Sequence, residues 1–151
     1  MEIILNILII VFTFLFMEAA AWFTHKYIMH GFLWVWHKSH HKVHDHTLER
    51  NDLFALVFSL PCISLFYYST YHTNTFYLTS VAIGILAYGI SYFIFHDVIV
   101  HRRVSITFNT GNGYLKRIMK AHYKHHEVHT KEGGKAFGFL YAPKKLIEKE
   151  N

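Results

Sequence analysis

Histidines at metal-ligand spacing dominate this chain of 151 residues: ten of its fourteen histidines fall into two stretches with the same internal order. The first stretch, HKYIMHGFLWVWHKSHH from His25 to His41, places five histidines in seventeen residues. The second runs from His96 to His126 and repeats the order as HDVIVH and then HYKHH. Each stretch reads HxxxxH followed by HxxHH, and ten imidazoles exceed what one metal ion accepts and suit two. Imidazole binds zinc, iron, copper or nickel, so ligand type alone does not choose the metal. A structural zinc site would close with four ligands and would usually include thiolates. The one cysteine, Cys62, lies inside an apolar segment, which rules out disulfides and leaves the redox compartment unreadable.

Helix geometry sets what each motif delivers. At about 100° per residue, a histidine at i and a pair at i+3 and i+4 span an arc of about 100°, so each HxxHH is expected to aim three imidazoles in one direction. Histidines five apart diverge by about 140° on a regular helix, so HxxxxH requires the helix to end or bend. Gly31, directly after His30, is a place for it to stop. His44, His46, His72 and His129 lie outside the pattern.

The elements that must carry these motifs are apolar. Hydrophobic residues make up 52% of the chain and aromatic residues 18%, concentrated in blocks, which gives an all-α integral membrane protein with three to four transmembrane helices. The spans are expected at about 3–24, 53–72 and 76–95, with the histidine motifs on helix extensions and a tail over 127–151, all in one domain covering residues 1–151. No Lys or Arg precedes Lys26, so the first span reads as a retained helix and not as a cleaved signal. Glu18 lies inside it, seven residues and about 10 Å before His25, where a carboxyl needs a partner on a neighbouring helix or serves the metal or substrate path. Pro61 is expected to bend the second span, and Ser80, Gly84, Ala87 and Ser91 allow close helix contact along the third.

Three spans put the end of the first, the start of the second and the end of the third at one membrane surface. All fifteen Lys and Arg fall there: Lys26, Lys38, Lys42, Arg50 and eleven from Arg102 onward. The positive-inside rule then places the histidine face in the cytoplasm. The net charge of +5 comes without a nucleic-acid recognition motif, so nucleic acid is not an expected partner.

At the ten histidines the chain resembles the membrane-bound di-iron hydroxylase and desaturase superfamily. It is more closely similar to the bacterial β-carotene 3-hydroxylase family, on MEAAAWFTHKYIMHGFLWVWHKSHH, ERNDLFALVF, YFIFHDVIVHRR and GYLKRIMKAHYKHHEVHTKEGGKAFGFLYAP. The departures are the loop around 42–47 and the hairpin tip near Thr73 and Asn74. That resemblance implies hydroxylation of β-ionone rings at carbon 3, taking β-carotene to β-cryptoxanthin and zeaxanthin, in the bacterial inner membrane. It implies two iron ions held by His25, His30, His37, His40, His41, His96, His101, His122, His125 and His126, with O2 as co-substrate. Electrons would come from an external ferredoxin-like donor and ultimately NAD(P)H, because the chain carries no flavin, nicotinamide or iron–sulfur motif.

Around those ligands, Asn51, Asp52, Asp97 and Glu127 are candidates to orient the outer ring nitrogens. A carotene is an apolar rod about as long as the roughly 30 Å hydrocarbon core, so its ring enters from the bilayer. Trp22, Tyr88, Tyr92, Phe93 and Phe95 are candidates to line that lateral groove. The tail, with Gly133 and Gly134 as a turn, is read as a flap over the metals or as an interfacial segment whose Lys144, Lys145 and Lys149 meet anionic headgroups. Lys116, Arg117 and Lys120 form the basic face expected to meet the donor. The competing readings are a fatty-acyl or sterol hydroxylase, a carotenoid ketolase, and a non-catalytic metal-binding membrane protein. Transporter ligands belong at the bilayer midplane, whereas these histidines lie at span ends.

Overall fold

A computed structural model describes residues 1–42 and 48–144; His44, His46, Lys145 and Lys149 lie outside the described residues. Among these the chain is helical, and three helices are long and apolar enough to cross a membrane, over Glu2–Phe32, Arg50–Tyr71 and Phe76–Val100. Within the first, α1 (Glu2–Phe23) passes without a break into a π-helical segment, Thr24–Phe32, and a short α2 (Trp34–His37) follows. A 3-10 turn, Arg50–Asp52, starts the second, which continues as α3 (Leu53–Tyr71). α4 (Phe76–Tyr92) again runs into a π-helical segment, Phe93–Val100, and α5 (Gly113–His126) is amphipathic.

α4 is the centre of the bundle, packing on α1 along one side and on α3 along the other. Its seam with α1 is held by three pairs in parallel order. Ser80 donates to the Asn6 side chain at 2.9 Å. Gly84 lets the backbones meet, since a Cβ there would stand 2.6 Å from Thr13 Cβ and 2.8 Å from the Ile10 carbonyl oxygen. Tyr88 donates its hydroxyl to Glu18 at 2.8 Å. The small-residue spacing on the third span thus serves α1, and helices running in the same direction are what a three-span path demands of the first and third.

On the α3 side, Cys62 approaches the Ala82 carbonyl at 3.4 Å. Pro61 is accommodated inside α3, which continues through it to Tyr71. The α3–α4 connection turns through Asn74 at φ 61°, a left-handed conformation that Asn tolerates. Beyond the second π-helical segment, Asn112 caps α5 by accepting from the backbone N–H groups of Tyr114 and Leu115 at 2.9 and 3.2 Å. α5 buries Ile118 and Ala121 with Ala142, against Phe95 and Ala136. That contact folds the tail, residues 131–142, back across the histidine end of the bundle.

Candidate metal centre

The ten predicted histidines converge into two groups of five. His25, His30, His37, His41 and His125 form the first cluster; His40, His96, His101, His122 and His126 form the second, and within each the ligand atoms lie within 4.8 Å of one another. The clusters adjoin, with the His41 and His126 rings stacked across the boundary at 4.6 Å.

HxxxxH becomes a single-faced motif through a change of hydrogen-bond register. In a π-helix the bond runs from i+5 to i, which widens the turn and brings residues five apart onto one side. The His101 N–H donates to the His96 carbonyl at 2.9 Å, and the Leu33 N–H to that of Ile28 at 3.0 Å. The first π-helical segment ends in a kink at Gly31, whose φ of −103° and ψ of −126° are not helical.

HxxHH departs from the sequence expectation: its three imidazoles do not share a target. His37 and His41 join the first cluster and His40 the second, while His122 and His126 join the second and His125 the first. On α5, i and i+4 lie about 40° apart and i+3 lies about 60° to the other side of i, so a target on each flank divides His122, His125 and His126 in this way, whereas His40 and His41 lie in the turns that follow α2. Each half of the chain therefore supplies four ligand candidates to its own cluster and one, His40 or His125, to the other.

The outer nitrogens fix the tautomers. Nδ1 of His25, His30 and His125 faces the carbonyl oxygens of Phe137, Lys131 and Lys135 at 3.0, 3.0 and 2.8 Å. Nδ1 of His37 faces the Asn51 Oδ1 at 2.7 Å and that of His40 faces Glu49 Oε1 at 3.2 Å. An imidazole that donates from Nδ1 carries its lone pair on Nε2. Yet Nε2 of His25 and His37 are 3.0 Å apart, and those of His30 and His125 are 3.2 Å apart. Facing lone pairs repel unless a cation lies between them. At a metal–nitrogen distance of about 2.1 Å, ligands at right angles stand about 3 Å apart, so these separations fit a shared ion. Nε2 of His126 is also buried with no hydrogen-bond partner among the described residues.

Burial keeps these rings neutral, as metal ligation requires. It holds His41 down at about 4, His101 and His125 at about 3 and His37 at about 2, with neighbouring imidazoles adding to the effect. His40, His122 and His126 are likewise held well below the ordinary histidine value, by burial and then by the imidazoles around them.

Of the residues expected beside the ligands, Asn51 bonds His37 and Asp97 stands 3.5 Å from His96 Nδ1. Asp52 bonds no histidine among the described residues; it accepts from Arg103 at 2.7 Å and from the Glu49 backbone N–H at 2.9 Å. Glu127 is exposed where α5 ends and makes none of these bonds. Sequence reasoning missed Glu49, which accepts from both His40 and Arg103. Its one signal was the spacing of Glu49 and Asp52, three apart, which forms a reciprocal cap at the start of the 3-10 turn. His72 is exposed and stacks on Tyr68 at 4.0 Å at the far end of the bundle, and His129 is exposed.

Above the clusters, an apolar cavity of about 580 Å³ opens between α1, α3 and α4, and its wall includes His25 of the first cluster and His96 and His122 of the second. Tyr88, Tyr92, Phe93 and Phe95 line it. Trp22 does not: it is exposed, and Lys26 sits 5.0 Å over its ring and over that of Tyr27, as in an interfacial anchor.

The tail closes one side of this cavity with Phe137, Gly138 and Phe139. It is tied down by Glu18, whose Oε1 accepts from the Phe139 and Leu140 N–H groups at 2.9 and 2.8 Å. Gly138 fits beneath that carboxylate, where a Cβ would stand 2.8 Å from Oε1. Ala136 adopts a left-handed φ of 59° between Lys135 and Phe137, the two residues whose carbonyls meet His125 and His25.

The family model for fatty acid hydroxylase matches residues 10–143. A protein named beta-carotene hydroxylase from Paracoccus sp. (strain PC1) is 44% identical over 90% of this chain and 83% of its own. One of the same name from Pantoea ananas is 46% identical over 91% of this chain and 78% of its own. A beta-carotene 3-hydroxylase 1, chloroplastic, from Arabidopsis thaliana is 34% identical over 87% of this chain and 43% of its own. No solved structure matches.

Proposed function

The chain belongs to the fatty acid hydroxylase family, and from that premise we propose that it is a β-carotene 3-hydroxylase of the bacterial inner membrane, converting β-carotene to β-cryptoxanthin and then zeaxanthin. The observation that carries this reading is the apolar cavity whose wall includes histidines of both clusters, because it leads an apolar ring from the bilayer to the metal centre. Its lining runs along α3 from Phe54 to Ile63, a rise of about 14 Å. That is about half of a rod as long as the roughly 30 Å hydrocarbon core. One ring and the near half of the polyene lie inside, and the far half remains in lipid between Ile63 and Leu86, which line the opening and are exposed. Each ring is then hydroxylated in a separate binding event, which accounts for a mono-hydroxylated intermediate.

All ten histidines of the two clusters are the candidate ligand set, and the two iron ions they would hold would supply the activation of O2 for oxidising a ring C–H bond that no side chain can supply. The chain's own residues do the rest. Tyr88, Tyr92 and Phe95 orient the ring by apolar contact, and Phe137 and Phe139 shield the reacting carbon from water. The carbonyls of residues 131, 135 and 137 and the side chains of Asn51 and Glu49 hold the imidazole tautomers.

The histidine face lies in the cytoplasm, and an acidic ferredoxin-like donor docks there on the outer face of α5, where Lys116 and Lys120 are exposed and Arg117 lies over the Tyr114 ring at 5.4 Å. Reversing Lys116, Arg117 and Lys120 to acidic residues tests that docking by its effect on donor-dependent turnover. The function itself is tested by pigment analysis of a β-carotene-accumulating bacterium expressing the chain or its His40→Ala variant at matched membrane levels. Zeaxanthin and β-cryptoxanthin are expected with the intact chain alone; unchanged β-carotene, with protein and iron both in the membrane, would refute the assignment.

A further inference from the structure

We propose that the two clusters are unequal, and that the second, made of His40, His96, His101, His122 and His126, takes the first metal ion and holds it more tightly. The inference rests on reading both clusters as metal sites. Each offers five imidazoles in similar geometry, so ligand number does not separate them. What differs is the layer behind the rings.

In the first cluster the acceptors for the outer nitrogens are neutral: three backbone carbonyls and the Asn51 side chain. In the second the acceptor for the outer nitrogen of His40 is a carboxylate, Glu49 at 3.2 Å, and a second carboxylate, Asp97, stands 3.5 Å from His96 Nδ1 without a hydrogen bond to it. Arg103 gathers that carboxylate layer, reaching Glu49 at 2.6 Å, Asp52 at 2.7 Å and Asp97 at 3.1 Å. One guanidinium against three carboxylates gives this group a formal charge of −2, and two of its carboxylates, Glu49 and Asp97, stand beside rings of the second cluster. The guanidinium also pins the carboxylates behind the rings, so they polarise the imidazoles instead of replacing them.

Two effects then act in the same direction. An imidazole donating to a carboxylate is the more basic ligand at its other nitrogen. A negative layer with the Glu49 side chain only 5% exposed and that of Asp97 15% exposed also attracts a divalent cation with little screening by water. Outer partners of this kind change metal affinity by about 10–100-fold, and that is the gap expected between the two clusters.

The test is an anaerobic titration of the metal-free, detergent-solubilised chain with ferrous iron, read by Mössbauer spectroscopy and by competition with a chelator. One quadrupole doublet should fill with the first equivalent and a second only with the next. Glu49→Gln keeps an acceptor for His40 but removes its charge, and should narrow the gap by weakening the tighter ion. Asn51→Asp puts a carboxylate behind His37, leaves Arg103 and its partners in place, and should narrow the gap by tightening the weaker ion. Were the first cluster the tighter one, both variants would widen it. Equal affinities in the native chain, or widening in either variant, would overturn the proposal. Asn51→Asp decides alone if Glu49→Gln does not fold. A native chain that retains no iron at all would overturn the metal reading itself, a result distinct from two ions bound with equal affinity.

Discussion

Removing the Glu18 carboxylate should release the tail from the bundle. Glu18 accepts three hydrogen bonds, from Tyr88 on α4 and from the backbone of Phe139 and Leu140 in the tail. Bonds to a charged acceptor contribute roughly 1.5 kcal/mol each at the low end of their range. In Glu18→Ala the two bonds that reach the tail are lost, about 3 kcal/mol, or roughly a hundred-fold in the balance between closed and open tail, while the Tyr88 bond joins α1 to α4 and does not enter that balance. The tail carries the carbonyls that hold His25, His30 and His125 and the rings of Phe137 and Phe139 that line the cavity, so opening disturbs one cluster and admits water to the cavity. Glu18→Gln should be mild: its amide oxygen still accepts from the two N–H groups, and its NH2 donates to the Tyr88 oxygen. Hydrogen exchange by mass spectrometry on the chain in lipid nanodiscs, following peptides across residues 131–142, reads the opening directly. Zeaxanthin yield reports its consequence. Protection that persists in Glu18→Ala, or loss that is equal in Glu18→Gln, would refute the latch.

Gly84→Ala should cost about 1–3 kcal/mol, because its Cβ meets Thr13 and the Ile10 carbonyl, whereas Gly89→Ala, with nothing within 4 Å, should leave the thermal midpoint unchanged. Gly89→Leu places a side chain in the cavity wall at a position open to it and should depress carotene conversion with iron content retained; unaltered conversion would put the substrate elsewhere. The metal-free chain should lose stability in acid. Histidines held at about 4 in His41 and about 3 in His101 and His125 bind fewer protons folded than unfolded, so stability is full above about 6.5 and falls as pH drops toward those values, by up to about 1.4 kcal/mol per pH unit for each group. Denaturant unfolding at a series of pH values checks this, and a flat profile between pH 6.5 and 4.5 would contradict it.

The histidine pattern, the three apolar blocks and the one-sided placement of Lys and Arg are properties of the linear chain, and the pattern marked ten residues that the fold brings together at one end of the bundle. Burial in lipid makes such blocks unambiguous, since a span must be long, apolar and helical whatever surrounds it. The tertiary structure decided what depends on neighbours. A spacing fixes the angle between side chains on one helix but says nothing of what stands on either flank, so the crossing of His40 and His125 between clusters waited on how the turn after α2 and the end of α5 meet. The i+5 register that aligns His25 with His30 and His96 with His101 has no residue signature. Trp22 carried the composition of a groove residue and faces outward. Backbone carbonyls are present at every residue, which is why those of residues 131, 135 and 137 left no mark in the sequence, and Glu18 acquired its two backbone donors, beside Tyr88, only when a tail more than a hundred residues distant folded back onto it.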